Sequence, residues 1–368
     1  MKFNCDRDVI IKEFQTAQEI VSSRNALSIL SYVLLEANQN SLLLKATDLK
    51  VSFETRIPVE VQTPGITTVF CDRVLGILRS LPPGEVQFEL LDHERFIIKP
   101  LFKTNIDFRL KNMGADKFPE TQWADPDLFF SLRQSDMIEM ISQTVFAVSD
   151  DETRYFMNGV YLEKQDRTLI MVATDGRRLS YIAKETDGNL PDFSGVIIPP
   201  KILNLIRKLA SGEGTLQLAI TDKHLFAEFD SQKISTALIE GQFPNYQRVI
   251  PEKQEHTVLV RRGELNEALR RVGLMVEKSR RIYLDLSPDN LALVSEESEL
   301  GMAREDIPCR YSGPTVRIAL NFMYLNDPLR VIEGEDVQIQ FTETNRAISL
   351  YSVPEADYFH IVMPMQTE

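Results

Sequence analysis

The feature that most constrains the fold of this chain is an internal threefold repeat. Three segments each show an apolar strand pattern, a short polar turn and a second strand pattern with alternating apolar residues. The three turns begin at Thr47, Thr174 and Ser295. The spacing between them is the length of a small domain and far longer than a solenoid repeat. The sequence therefore predicts three copies of one domain-sized module.

The segments on either side of each turn repeat as well. Upstream lies an apolar pattern with three- and four-residue spacing, which predicts one buried helical face. Downstream, a second helix is predicted near residues 72–81, 200–210 and 321–332, and Pro328 predicts that the last one is kinked or shortened. The apolar positions of the upstream helices are Val9, Ile10, Phe14, Ala17, Ile20 and Val21; Met137, Ile138, Ile141, Val145 and Phe146; and Leu265, Ala268, Leu269, Val272 and Met275.

A pair of alternating strands follows each second helix, as in a sheet with one buried face. The predicted pairs are 86–90 with 96–99, 216–220 with 225–229, and 337–341 with 348–351. Segments rich in proline and polar residues near 119–126 and 250–255 are typical of linkers. We therefore predict an α+β chain with module 1 at residues 1–122, module 2 at 128–250 and module 3 at 251–368.

Charge is distributed unevenly along the chain. The 368 residues have a net charge of −13, which argues against holding DNA by bulk electrostatic attraction. The predicted helices are nevertheless net basic, so they would form a basic face if they lay together. Charge alone favours the simpler interpretation, in which these cations lie on ordinary solvated helix faces.

Familiar catalytic and metal-binding motifs are missing from the sequence. Cys5, Cys71 and Cys309 form no CxxC pair, and the four histidines are isolated from one another. The pattern indicates free thiols in a reducing compartment. The charged N-terminus and the lack of a long apolar run predict a cytoplasmic protein without a membrane span. No catalytic residue, metal site or cofactor is predicted, which favours a binding or scaffolding protein.

Two other classes of protein stay open at this point. One is an enzyme with an active site between modules, for example a hydrolase that uses Asp175 or nearby acidic residues. The other is a β-rich scaffold unrelated to DNA.

Several short motifs, in a fixed order, resemble one known family. They are the opening residues 1–3, Arg24, and the segments 154–160 (RYFMNGV), 172–179 (VATDGRRL), 241–251 (GQFPNYQRVIP) and 361–365 (IVMPM). Over essentially its whole length the sequence resembles the bacterial sliding clamps, the beta subunits of DNA polymerase III.

This resemblance implies a DNA clamp fold and a function without catalysis. In the family, two three-module subunits close head-to-tail into a homodimeric ring, with helices inside and sheets outside. The ring encircles double-stranded DNA topologically and without sequence preference, as a processivity factor. The implied protein partners are the DNA polymerase III alpha subunit, the clamp loader delta subunit and other replication and repair proteins that carry a clamp-binding motif.

The resemblance also implies a peptide-binding pocket between the second and third modules. An apolar surface of Met and Leu with arginines at its rim suits an extended peptide with apolar anchors. Met157 stands where Leu is usual, Ala347 where a small polar residue is frequent, and residues 366–368 place an acid near the pocket. The implied pocket residues are Met157, Thr174, Gly176, Arg177, Arg178, Leu179, Pro244, Arg248, Val249, Ala347, Ile361, Val362, Met363, Pro364 and Met365.

DNA contacts and subunit closure complete the expected sites. Arg24 matches a family residue that reaches DNA, Tyr155 and Phe156 lie on a loop near it, and Asp151 replaces a neutral residue and would repel phosphate. The expected DNA-binding residues are Arg24, Arg73, Arg79, Tyr155, Phe156, Lys201, Arg207 and Lys208. The expected dimer contact joins an edge strand with Ile106 and Phe108 to Leu274 and Met275 of the partner subunit.

Overall fold

A computed structural model describes residues 1–21, 28–92, 95–103, 105–121, 123–186, 188, 190–299 and 301–366. The chain forms two compact units. Unit 1 comprises Met1–Leu132 and Glu213–Ala237, and unit 2 comprises Arg133–Gly212 and Leu238–Glu368. The last strands of the second predicted module thus belong with unit 1.

The first third of the chain begins with a strand that leads directly into a helix. The Asp6 carboxylate ends the strand and accepts hydrogen bonds from the backbone N–H groups of Asp8 and Val9, so it caps the helix. The Val9 side chain is 41% exposed, so its predicted burial is wrong: it lies beside the apolar face rather than on it. The elements are β1 Lys2–Asp6, α1 Arg7–Ile20, β2 Tyr32–Asn38, β3 Ser41–Thr47, β4 Val51–Pro58, β5 Glu60–Thr63, β6 Gly65–Phe70, α2 Cys71–Ser80, β7 Glu85–Asp92, β8 Arg95–Pro100, β9 Phe108–Lys111 and β10 Phe130–Arg133.

The middle of the chain repeats the order of helix, hairpin, helix and strand pair. Pro200 occupies the first turn of its helix, where the missing N–H has no intrahelical acceptor in any case. Val145 and Phe146 form a short 3-10 turn after the first helix rather than part of it. The elements are α3 Gln134–Thr144, β11 Val160–Gln165, β12 Thr168–Thr174, β13 Arg178–Glu185, β14 Val196–Ile198, α4 Pro200–Leu209, β15 Thr215–Ile220, β16 His224–Phe229 and β17 Gln232–Ala237.

The last third contains the same order again. Its second helix ends at Leu329, short of the 321–332 pattern, with Pro328 in its last turn, which confirms the predicted shortening. Asn321 caps this helix by accepting from the backbone N–H of Met323. Met275 lies in a 3-10 turn after the first helix. The elements are β18 His256–Arg261, α5 Arg262–Val272, β19 Arg281–Ser287, β20 Asn290–Ser295, β21 Arg304–Arg310, β22 Val316–Asn321, α6 Phe322–Leu329, β23 Asp336–Phe341, β24 Ile348–Val353 and β25 Tyr358–Val362.

Unit 1 contains two sheets. One has the strand order β5-β1-β7-β8-β9 and the other the order β10-β15-β16-β17-β4-β3-β2-β6. The antiparallel pairing of β17 with β4 joins the last strands of the middle segment to the first hairpin, which explains the division into units. Strand β9 is an edge strand that begins at Phe108, so Ile106 lies two residues before it, contrary to prediction.

Unit 2 contains one sheet of twelve strands, in the order β14-β11-β12-β13-β25-β24-β23-β18-β21-β20-β19-β22. Strand β13 pairs antiparallel with β25, so the middle hairpin and the C-terminal strand share one surface. Beyond β25, the Met363 N–H donates to the Arg177 carbonyl at 2.8 Å and the Met365 N–H donates to the Ala319 carbonyl at 2.8 Å. The C-terminal segment is therefore held on the sheet.

The first two hairpin turns share the same hydrogen bonds. The hydroxyl of Thr47 accepts from the N–H of Leu49 at 3.0 Å, and the hydroxyl of Thr174 accepts from the N–H of Gly176 at 3.0 Å. The next residue in each turn is an aspartate whose Oδ1 accepts from two backbone N–H groups at 2.7 to 3.0 Å. The turn after Ser295 is longer, and the Ser295 hydroxyl accepts a hydrogen bond from the N–H of Ala303. The repeat predicted from sequence is thus present in detail in two hairpins and in outline in the third.

None of the described helices is long and apolar enough to cross a membrane. In the same part of the chain, no group of three or more His, Cys, Asp or Glu side chains could hold a metal ion.

Candidate functional site

Some of the expected peptide-binding residues line a cavity in unit 2. The cavity has a volume of about 730 Å³, and four of the expected residues line it: Arg248, Val249, Ala347 and Met363. Sequence reasoning missed the rest of the lining, which reads as an ordinary polar linker and hairpin turn. These additional residues are Ile250, Pro251, Glu252, Lys253, Gln254, Thr342, Glu343, Asn345 and Arg346.

Other expected residues lie beneath this surface. Leu179 and Ile361 are each 2% exposed and belong to one buried apolar cluster, against which Ala347 packs. Met157, Thr174 and Val362 are also buried. Side chains as buried as Leu179 and Ile361 offer almost no surface to a peptide, so we infer that these two support the cavity surface rather than line it.

The segment that carries Pro244, Arg248 and Val249 is fixed by aromatic contacts. Phe243 stacks on Tyr161 with ring centroids 4.8 Å apart. The hydroxyl of Tyr246 donates to Glu163 at 2.5 Å, and burial together with this carboxylate raises the pKa of Tyr246. The segment therefore lies on the β11–β13 surface, which leaves Val249 51% exposed at the cavity.

The β12–β13 turn has exposed residues next to the buried apolar cluster that contains Leu179 and Ile361. Gly176 has a φ of 85°, a conformation that favours glycine, and a Cβ atom there would lie 3.1 Å from Nη1 of Arg154. The Arg154 side chain, in turn, forms an ion pair with Asp151 at 2.9 Å. Sequence reasoning did not connect Arg154 with this turn, although Arg154 stands in one of the resembling motifs.

The Arg178 guanidinium makes its contacts within the protein. We had expected it at the rim of the peptide cavity, where it would bind peptide groups. Its guanidinium donates to Asp175 at 3.1 Å, to Asp327 at 2.7 Å and to the Phe146 carbonyl at 2.6 Å. It also lies over the ring of Tyr324, 4.8 Å from the centroid. The same contacts engage the Asp175 carboxylate, the residue considered for an active site.

The C-terminal residues form one wall of the site. Met363 is 40% exposed and lines the cavity, whereas Pro364 and Met365 are half-buried. Ala347 offers no polar side chain, but its carbonyl accepts from Nε2 of Gln254 at 2.9 Å. Residues 367 and 368 lie outside the described residues.

The expected DNA-binding residues are divided between the two units. Arg73 and Arg79 are exposed on α2 of unit 1, and α4 of unit 2 exposes Lys201, Arg207 and Lys208. Arg24 lies outside the described residues.

The loop residues differ from these cations in their surroundings. Phe156 packs against the apolar cluster beneath the peptide cavity, and the neighbouring Tyr155 is 53% exposed. Hydrogen bonds from Thr153 and Arg154 lower the pKa of Asp151, so its charge is already partly compensated within the loop.

The residues expected at the dimer contact are partly exposed apolar side chains. Leu274 is 82% exposed, and Met275 is half-buried with its Cε near Gly301. Phe108 and Ile106 are half-buried at the β9 edge of unit 1. A strongly exposed leucine and an unpaired strand edge are features that a protein interface would cover.

Comparison with known proteins defines the class of protein. Family models of the DNA polymerase III beta subunit match the chain in order: the N-terminal domain at residues 1–122, the central domain at 131–245 and the C-terminal domain at 247–366. The chain therefore has the three-domain DNA clamp fold.

Relatives match over full length. The chain is 44% identical over 373 residues to the beta sliding clamp of Treponema pallidum and 31% identical to that of Pseudomonas aeruginosa, with complete coverage of both chains in each case. It also matches the solved structure of a Pseudomonas aeruginosa sliding clamp bound to griselimycin, with a TM-score of 0.92, 31% identity and complete coverage of both chains. The chain belongs to the family of DNA polymerase III beta subunits, the beta sliding clamps.

Proposed function

We propose that this chain is a DNA sliding clamp, a processivity factor without catalysis of its own. The observation that carries the proposal is that three beta subunit domain models, in order, account for nearly the whole chain. Relatives called beta sliding clamps match it from end to end. The clamp encircles double-stranded DNA and tethers the replicative polymerase to it.

The working form is a homodimeric ring of two three-module subunits. We place module 1 at residues 1–122, module 2 at 128–250 and module 3 at 251–368, close to the ranges of the three family models. Closure joins Phe108 and the β9 edge to Leu274 and Met275 of the other subunit. The exposure of Leu274 and the free strand edge support this contact.

DNA passes through the ring and is held by its topology, which does not require a strongly basic protein. The exposed cations Arg73, Arg79, Lys201, Arg207 and Lys208, together with Arg24, make weak phosphate contacts. The protein acts in the cytoplasm, where the bacterial chromosome is replicated.

The unit 2 cavity docks an extended peptide from partner proteins. The proposed partners are the polymerase alpha subunit, the clamp loader delta subunit and other replication and repair proteins. An apolar surface with mixed charges at its rim suits such a peptide. A relative that is 31% identical binds griselimycin, and this also supports a ligand site in the fold.

Retention on circular DNA tests the proposal. The protein is loaded by a clamp loader onto a nicked plasmid, and the complex is separated from free protein by gel filtration. We expect the clamp to stay on closed circles and to escape after linearisation with a restriction enzyme. Equal retention on circles and linear DNA would contradict topological binding.

A variant of the β9 edge provides the matched test of ring closure. Phe108→Asp places a charge in the proposed contact and should yield monomers in analytical ultracentrifugation, with loss of retention on circles. Met363→Asp should keep the dimer mass but lose peptide docking, and with it loading by the clamp loader. A Phe108→Asp protein with the wild-type solution mass would rule out the contact that we propose.

A further inference from the structure

Unit 1 contains a second cavity that none of the expected sites includes. It has a volume of about 510 Å³ and lies beside the β3–β4 turn. We propose that it is a second peptide-docking site, whose occupant is an extended segment of a partner protein with an apolar anchor and a basic flank. Its lining residues are Thr47, Leu49, Lys50, Ser52, Pro119, Glu120, Thr121, Trp123, Ala124, Asp125, Leu128, Thr221, His224, Phe226 and Ser235.

The internal repeat relates this cavity to the one in unit 2. The β3–β4 turn at Thr47 lines the unit 1 cavity, and its hydrogen bonds match those of the β12–β13 turn at Thr174. That second turn leads into Leu179 of the buried cluster in unit 2 and is not part of the lining of the unit 2 cavity. Strand β4 pairs with β17 as β13 pairs with β25, and a proline-containing linker segment lines each cavity. The inference rests on the proposed function, because the peptide docking proposed for unit 2 is the reason to expect peptide docking in unit 1.

Leu49 is the most informative residue of the second cavity. It has a φ of 73° where the matching turn has Gly176 with a φ of 85°. A leucine in this conformation is strained by about 1–2 kcal/mol. Its side chain is nevertheless 67% exposed, so it gains little from burial in the isolated chain. Strained residues of this kind cluster at ligand sites, where the side chain contacts the bound partner.

An aromatic pair forms the wall of the cavity. Trp123 packs against Phe226 with ring centroids 6.2 Å apart and remains partly exposed. The ammonium group of Lys233 lies 5.7 Å from the Trp123 ring, while the same group pairs with Glu228 at 2.8 Å. Together with Leu49 and Leu128, which are both exposed, the pair offers an apolar surface for an anchor side chain.

The charges at the rim distinguish the two cavities. Among the lining residues, the two exposed carboxylates of Glu120 and Asp125 outnumber the one lysine, Lys50, while the Lys233 ammonium beside Trp123 is paired with Glu228. In the unit 2 cavity, by contrast, the three basic side chains Arg248, Lys253 and Arg346 outnumber the two acidic ones. Charge complementarity therefore assigns to unit 1 a peptide with a basic flank, and the two sites select different peptides.

Trp123 makes the proposal directly testable because it is the single tryptophan of the chain. The full-length protein is titrated with the acetylated and amidated hexapeptide Lys-Leu-Lys-Leu-Phe-Lys while tryptophan emission is recorded. We expect a saturable change in emission, and at least tenfold weaker binding for the matched peptide Glu-Leu-Glu-Leu-Phe-Glu. In a separate experiment, competition between the hexapeptide and griselimycin reports on binding in unit 2.

Three variants decide the outcome. Leu49→Gly installs the residue that the matching turn carries, so the turn keeps its conformation, and binding should weaken about tenfold. Glu120→Lys should weaken binding of the basic peptide about threefold, whereas Met363→Asp in unit 2 should leave the tryptophan signal unchanged.

Four results would overturn the proposal. They are no emission change, a change that Leu49→Gly leaves intact, equal binding of the acidic peptide, and a change in solution mass of Leu49→Gly that reveals a second copy as the occupant. The clamp function itself is read from retention on circular DNA. Failure of the second site would leave that result unaffected.

Discussion

Replacement of Arg178 by methionine should weaken the contact between the β12–β13 hairpin and α6. The substitution changes none of the side chains that line the peptide cavity. The Arg178 side chain is 12% exposed, and its guanidinium bridges Asp175 in the turn, Asp327 in α6 and the Phe146 carbonyl. Methionine keeps much of the apolar stem but removes every hydrogen-bond donor. Both carboxylates then lose a cationic partner.

The size of the effect follows from the burial of these groups. Removing one partner of a buried ion pair destabilises a protein by about 3–5 kcal/mol. The side chains of Asp175 and Asp327 are 14% and 16% exposed, so some water reaches each carboxylate. Asp175 also keeps two backbone N–H donors. We therefore expect the lower end of the range, a loss of about 3 kcal/mol in local opening free energy.

Hydrogen exchange measures this loss where it occurs. A drop of about 3 kcal/mol accelerates exchange through opening by about a hundredfold, and we expect it at amides of β12, β13 and α6. Arg177→Met alters the exposed neighbour and should have little effect.

A double-mutant cycle isolates the pair itself. Combining Arg178→Met with Asp327→Leu removes the unpaired carboxylate and should restore part of the protection. Unchanged exchange in Arg178→Met, or strictly additive effects in the double variant, would refute the reasoning.

Three further predictions concern other parts of unit 2. Burial lowers the pKa of the His360 imidazole to about 3, below the value near 6.5 of an unfolded chain, so the unfolded chain binds the proton first. Stability should therefore be complete above pH 6.5 and fall by about 2 kcal/mol between pH 7 and pH 5, and His360→Gln should flatten this dependence in urea unfolding. Lys184 bridges Glu139 at 2.6 Å and Asp357 at 2.8 Å, and Lys184→Met should cost about 1 kcal/mol, less in high salt, as measured by the same unfolding assay. Leu274→Asp should shift the solution mass toward the monomer in sedimentation analysis, and an unchanged mass would argue against its place in the subunit contact.

The repeat and its strands were predictable because their signal is periodic. Alternation of apolar residues marked all three strand pairs, and the structure confirms each as an antiparallel pair. Helix positions were predicted where several apolar residues share one face, as at Ile10, Phe14 and Ala17. The prediction was wrong at Val9, where a single apolar residue lies next to the face and periodicity cannot exclude it.

Apart from Arg248, Val249, Ala347 and Met363, which the family resemblance implied, the walls of the peptide cavity could not be read from the sequence. They come from a linker and a hairpin turn, whose polar residues such as Gln254 and Asn345 resemble any solvated loop. The role of Arg178 was also beyond sequence reasoning, because Asp327 is far away along the chain. Long-range pairs of this kind leave no periodic signal, and only the packing of α6 against the hairpin brings them together.

Comparison of the two matching turns separates what the fold requires from what binding requires. Thr47 and Thr174 make the same backbone contacts, so the hydroxyl and the following aspartate serve the turn itself. The next position needs a left-handed backbone, which glycine adopts without strain and leucine does not. If the turn alone mattered, glycine would suit both hairpins equally well. The second docking site that we propose in unit 1 accounts for an exposed leucine at this position.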